Sequence, residues 1–280
     1  MPSVGALMTT RAMMSPASQE VRALGEGSRR PVWPSATPYD DFNLGDHVGD
    51  DPDAVARHRA ALAEALGAHP VWLHQVHGHH VPRVTQADAR ASLTQPVTAD
   101  GSWTTEPGVA CTVMVADCLP VLLAAPGGRG VAALHAGWRG LSGAGGGMAG
   151  RGVLEVGVAQ LCQGAGCDPQ DLQAWLGPCI GPGAFEVGAD VLQGFGVDPA
   201  QAHPRFTPLP YGAGAAADGQ AAPPKWWGDL AGLAADRLRA LGLTSISGGD
   251  WCTASDASRF FSFRRDGVTG RQAACIWIRP

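Results

Sequence analysis

Apolar and polar positions follow two rhythms along this chain. In "GDDPDAVARHRAALAEALG", residues 49 to 67, Val55, Leu62 and Leu66 recur at helical spacing within a polar, alanine-rich surface. Asp51 can cap this helix, and Pro52 suits its first position, where an N–H would lack an intrahelical partner anyway. Gly67 can end it. "GVLEVGVAQLC" predicts a second helix. "GDLAGLAADRLRALG" predicts a third, with Leu230, Leu233, Leu238 and Leu241 on its stripe. Between them "VWLHQVH", "HVPRVT", "VACTVMVA", "PVLLAA", "GVAALHA", "AWLGP" and "RQAACIWI" predict strands. Several are apolar on both faces, as expected of central strands in a covered sheet.

No fixed-period repeat interrupts this mixture. "PRFTPLPYGAGAAADGQAAPP", residues 204 to 224, is biased toward Ala, Gly and Pro and predicts a long mobile surface loop. The elements on either side are too few for separate cores, so residues 1–280 are expected to form one α/β domain. Trp226 and Trp227 follow the loop and are expected to anchor it.

Composition narrows the function classes. With 280 residues, 45% hydrophobic and 16% charged, the chain is long and apolar enough for a packed core. A formal charge of −5 gives no basic footprint for nucleic acid or an anionic membrane. No apolar run reaches a membrane span, and "MPSVGALMTTRAMMSPASQE" has no secretory pattern. Seven cysteines without a CxxC pair suggest reduced thiols, so a cytoplasmic location is expected.

The candidate chemistry begins at "VWLHQVHGHHV", residues 71 to 81. Strand alternation places Leu73, Gln75 and His77 on one face, and Gly78 then breaks the strand. His77 therefore leads, with His74, His79 and His80 as rim or solvated residues. In "ADCLPVLLAAPGGRGVAALHAGWRG", residues 116 to 140, two apolar runs flank "PGGR", a hairpin signal. A turn centred near Gly128 pairs Val121 with His135 and leaves Cys118 at the open end, close to His135. Two imidazoles and a thiolate make a three-ligand zinc site with an open position, the catalytic arrangement. A Cys–His nucleophile pair, with His135 or His77 deprotonating Cys118, is the rival.

"FNLGDHVGDDP", "QVHG", "ADCLPVLLA", "HAGWRG", "LGPCIGPGAFEVG" and "FFSFRRDGVTGR", in this order, resemble the YfiH-type family. Its members carry the labels laccase domain, polyphenol oxidase, peptidoglycan editing factor and purine nucleoside phosphorylase. The resemblance implies a single α/β domain with layered mixed β-sheets flanked by helices. It also implies zinc on His77, Cys118 and His135, which then serve as catalytic residues. The implied activity is phosphorolysis of adenosine, inosine and S-methyl-5'-thioadenosine, with adenosine deamination at the same site. The partners are then a small-molecule nucleoside and phosphate. Two stretches depart from the family pattern: "AMMSPASQEVRALGEGSRRPVW" near the start and the glycine-rich "LSGAGGGMAGRGVLE".

Phosphorolysis needs an anion site, yet no GxxxxGK[ST] loop is present. Arginines must then supply it, and Arg139, Arg264 and Arg265 are the candidates, the last two at an expected strand end. Asn43 can contact ribose or base, or close an Asx turn before Gly45. "GGGMAG", Gly145 to Gly150, satisfies GxGxxG but is not tightly placed between strand and helix, which disfavours dinucleotide binding. The laccase label admits copper, but a multicopper cluster needs about ten histidines, mostly in HxH pairs. This chain has nine, with HxH only at His77–His79. Two further functions stay open: a cysteine hydrolase acting on an amide or peptidoglycan precursor through Cys118, and a non-enzymatic zinc-stabilised binding module.

Overall fold

Strands that are apolar on both faces need cover on both faces, and the computed structural model shows what supplies it. It describes residues 3–12, 37–39, 42–144, 147–210 and 223–280. Four strands, in spatial order Val4–Met8, Gln272–Ile278, Val109–Val115 and His69–Val71, form one mixed sheet. Five others, Ser245–Gly248, Gln173–Leu176, Leu119–Ala124, Val131–Ala136 and Gly101–Thr104, form a second. Small sheets join Glu186–Val187, Trp226–Gly228 and Phe206–Pro208, and pair Leu73–His74 with Val97–Thr98.

Side-chain alternation then builds four layers. Cys111, Val113, Ala274 and Ile276 of the first sheet meet Leu122, Val131 and Ala133 of the second. The outer face of the first sheet, including Ala110, Met114 and Trp277, packs on Leu62 and Leu66 of the helix Pro52–Leu66. The outer face of the second, including Leu119, Val121 and Leu134, is covered by the helices Val153–Ala165 and Leu230–Ala240. Each fully buried Leu contributes about 1.5–3 kcal/mol. Gly157 lets the middle helix sit flush, since a Cβ there would lie 2.6 Å from both Leu134 methyls. The architecture is one mixed α/β unit of helix, sheet, sheet and helix. Among the described residues, no helix is long and apolar enough to cross a membrane.

The three expected helices form, and their ends follow from their caps. The Asp51 carboxylate accepts from Asp53 N at 2.9 Å, and Gly67 closes the first helix in the left-handed region. Asp229 caps the third through Gly232 N at 2.9 Å.

Several expectations need correction. "HVPRVT" forms no strand, and only Arg83 bridges Trp103, as suits a run containing Pro82, which lacks a ladder donor. "VWLHQVH" breaks into His69–Val71 and Leu73–His74. The expected 204–224 loop contains the strand Phe206–Pro208, and residues 211–222 lie outside the described residues. So do 13–36, most of the first departure from the family pattern, and Gly145–Gly146. Trp226 is buried in its strand against the helix-covered core.

The hairpin forms one residue out of the expected register. Val121 faces Leu134, and His135 faces Pro120. Gly127 and Gly128 both take positive φ, and the Ala125 N–H closes the turn on Gly130 O at 2.9 Å. That slip sends His135 to the face carrying Val131 and Ala133, the side nearer the other sheet.

Candidate metal centre and its cavity

At one end of the two-sheet stack a single carboxylate organises two distant segments. Asp100, fully buried just before the strand Gly101–Thr104, accepts the Nδ1–H of His135 at 2.9 Å. It also accepts three successive backbone N–H groups, Val76 at 3.2 Å, His77 at 2.8 Å and Gly78 at 2.6 Å. His77 is held at φ 60°, a left-handed conformation unusual outside glycine that persists only where its surroundings impose it. The Gln75 side chain pins the same loop, bonding Met114 O at 2.9 Å and Met114 N at 2.8 Å.

Cys118 arrives from the other side, at the open end of the hairpin. The preceding Asp117 has φ 98° and is buried, its carboxylate accepting from Thr253 Oγ1 at 2.6 Å and Arg264 N at 2.7 Å. Gly137 must be glycine here, because a Cβ would fall 2.6 Å from His77 Cδ2 and 3.0 Å from Cys118 Sγ. Gly140 lets the short helix Trp138–Ser142 pass the same loop, since a Cβ would lie 2.7 Å from Gly78 O.

The ligand atoms of His77, Cys118 and His135 thus lie within 4.8 Å of one another, with Cys118 Sγ 3.6 Å from His77 Nε2. Metal–ligand bonds of about 2.0–2.3 Å place tetrahedral ligand atoms roughly 3.3–3.8 Å apart, so the set fits one ion after small closing movements. With Nδ1–H committed to Asp100, His135 directs Nε2 to the common point, an arrangement that fixes ring and tautomer in metal sites.

Electrostatics favour the thiolate and charge the imidazole beside it. Burial opposes ionisation of Cys118, but the charge of His135 and hydrogen bonds from His135 and His77 outweigh it and pull the thiol down to about 6. Burial likewise opposes charging of His135, yet Cys118 and Asp100 push it up to about 9. Burial also opposes the Asp100 charge, and its bonds to His135, Gly78 and His77 still hold the carboxyl below its ordinary value.

A cavity of about 480 Å³ opens over these three side chains. His47, Trp138, Phe263, Arg139, Arg264 and Arg271 share its walls. Of the residues singled out in the sequence, the structure brings together His77, Cys118, His135, Arg139 and Arg264. Arg265 is elsewhere. Its guanidinium pairs with Asp266 at 2.7 Å and donates to the carbonyls of Thr253, Ala254 and Phe260. Both arginines belong to a helical turn, Phe263–Asp266, not to a strand end. Asn43 closes the Asx turn: Oδ1 accepts from Gly45 N and Arg271 N, while Nδ2 donates to Gly45 O and Asp50. Sequence reasoning missed Asp100, Asp117 and Arg271. For Asp100 a usable signal existed, because a ligating histidine needs an acceptor for its second ring nitrogen and an acid beside a strand start can supply it.

Fold and centre define a class: layered α/β proteins that gather two histidines and a cysteine at the base of a cavity. The chain belongs to the family described as multi-copper polyphenol oxidoreductase laccase, whose model matches residues 28–279. It is 44% identical over 245 residues to a purine nucleoside phosphorylase of Pseudomonas aeruginosa, covering 88% of this chain and 89% of that protein. To the purine nucleoside phosphorylase YfiH of Escherichia coli it is 43% identical over 246 residues, covering 87% and 89%. Among solved structures, a Neisseria meningitidis protein superposes with a TM-score of 0.76 at 36% identity, covering 100% of this chain and 96% of that one.

Proposed function

We propose that this chain is a zinc-dependent purine nucleoside phosphorylase. It would convert adenosine, inosine or S-methyl-5'-thioadenosine and phosphate into free base and a ribose 1-phosphate, its 5' position methylthio-substituted in the last case, with adenosine deamination at the same site. One observation carries the proposal: three ligand side chains converge beneath a cavity of about 480 Å³ whose walls present arginines. The names of the relatives support the substrate class. Two imidazoles and a thiolate suit zinc, and soft thiolate also accepts copper(I), so the metal is part of the test.

His77, Cys118 and His135 would hold the ion. When bound, it supplies Lewis acidity and lowers the pKa of water to about 7. The chain's own residues supply placement. Asp100 keeps His135 and the His77 loop in register with the cavity. Arg139 and Arg264 present donors to the phosphate. A phosphate oxygen forms the bond to C1' of ribose as the C1'–N9 bond breaks, and the bonding electrons leave with the base, which takes up one proton. Trp138 and Phe263 give that base apolar walls. The partners are small molecules, and a reducing cytoplasm would keep Cys118 a thiol.

The test is purified protein with adenosine, with and without phosphate, alongside elemental analysis of the bound metal. Phosphate-dependent adenine release by zinc-loaded protein is expected, with inosine as the deamination product. Absence of both products from metal-replete protein would sink the proposal.

The low pKa of Cys118 beside His77 favours a second reading, a cysteine hydrolase acting on an amide. A substrate-derived thioester at Cys118 in metal-free protein, together with amide turnover, would establish it.

A further inference from the structure

Several partly buried arginines among the described residues carry an ion pair. Arg59 pairs with Asp46 at 3.1 Å, Arg205 with Asp229 at 2.9 Å, Arg237 with Glu155 at 2.6 Å and Arg265 with Asp266 at 2.7 Å. Arg271 lines the cavity and is half-buried, yet among the described residues it has no ion pair. Its Nη1 donates to two neutral acceptors, Thr269 O and Gly270 O, each at 3.0 Å. The nearby Asp117 carboxylate is already committed to Thr253 and the Arg264 backbone. Cys118 and Asp117 are the nearest negative groups, yet no hydrogen bond among the described residues joins either to the guanidinium, and burial still opposes its charge, so an anion entering the cavity would complete it.

The surroundings fix its position. Asn43 Oδ1 accepts the Arg271 backbone N–H at 2.8 Å, and the Arg271 carbonyl accepts from Leu44 N at 3.0 Å. Gly45 leaves room for the stem, since a Cβ there would lie 2.7 Å from Arg271 Cγ. The polar turn around Asn43 therefore acts on the cavity through Arg271.

We infer that Arg271 is the principal anion anchor of this cavity and binds a tetrahedral phosphate, with Asn43 and Gly45 as its positioning residues. The inference rests on the phosphorylase reading only in naming phosphate as the anion. The ligand's source is either free inorganic phosphate or the phosphate ester of a nucleotide, and the two are separable.

The test treats metal-replete protein with phenylglyoxal, which modifies accessible arginines, and maps the adducts by mass spectrometry. Inorganic phosphate is expected to protect Arg271 and to raise the melting temperature. Protection by adenosine monophosphate alone would assign the site to an ester phosphate and still support the anchor. Arg271→Gln should weaken phosphate binding roughly tenfold to a hundredfold, and Arg271→Lys by less, because charge remains without the fork. Arg129→Gln, on the surface far from the cavity, should bind as wild type. Phenylglyoxal modification of Arg271 unaffected by either phosphate overturns the inference without requiring any variant to fold. So does wild-type phosphate binding by folded Arg271→Gln. Arg271-dependent binding without base release would leave this inference standing and remove the phosphorylase proposal. Base release with unaltered phosphate dependence in the variant would do the reverse.

Discussion

Cys111 and Cys118 lie seven residues apart, the first inside a strand of one sheet and the second in the bend that leads to a strand of the other. Cys111 faces the apolar gap between the sheets, where burial pushes its thiol up to about 12. Cys118 is half-buried at the floor of the cavity, and with His135 and His77 beside it its thiol falls to about 6. Burial acts in the same direction on both sulfurs. What separates them is whether the fold supplies cationic or hydrogen-bonding neighbours, so one thiol is left as packing and the other is primed for chemistry.

The most severe way to break this contrast is to remove a ligand. Cys118→Ser or His77→Ala should lose the metal and reduce base release by roughly a thousandfold or more, checked by elemental analysis and product chromatography. Metal-free His77→Ala turning over at the wild-type rate would refute the metal's role. Asp100→Asn keeps the shape but weakens the acceptor behind His135 and three backbone amides, and should lower metal affinity about 10–100-fold in a competition titration.

Titration sharpens the contrast further. A thiol held low is ionised once the pH rises past that value, so alkylation of Cys118 in metal-free protein should rise with a midpoint near pH 6. His135→Gln should move the midpoint upward, toward an ordinary thiol, while Cys111 stays unreactive as long as the protein is folded. His135 is pushed up to about 9 and so is protonated at neutral pH, whereas Cys118 is already ionised there. Metal uptake at pH 7 should therefore release about one proton from His135, measurable by calorimetry in buffers of different ionisation enthalpy. The smallest effect belongs to the packing thiol. Cys111→Ala should cost about 1 kcal/mol of stability and leave metal content unchanged.

Much of this was legible because it depends on local pattern. Glycine-broken "QVHG", the hairpin signal at "PGGR" and the doubly apolar strands point to His77, Cys118, His135 and a covered sheet without any coordinates. The register of the hairpin was not legible, because two consecutive glycines allow turns that differ by one residue, and only the Ala125–Gly130 closure selects between them. Asp100 was harder to find for another reason: its place before a strand hinted at an acceptor for a histidine, but its reach to Val76, His77, Gly78 and His135 is made only across the fold. Arg265 and Arg271 show the same gap. Both belong to "FFSFRRDGVTGR", yet Asp266 forms an ion pair with one and no described carboxylate does so with the other.

Asp100 has a consequence for how the centre is assembled. Because its carboxylate grips both histidine-bearing segments through the protein's own N–H groups, the pocket should keep its shape before any ion arrives. Stripping the ion with a chelator should leave a folded receptor that refills without the chain refolding, unlike small zinc modules that exist only while loaded. Which metal sits there in a cell would then be set by supply and donor chemistry as much as by folding.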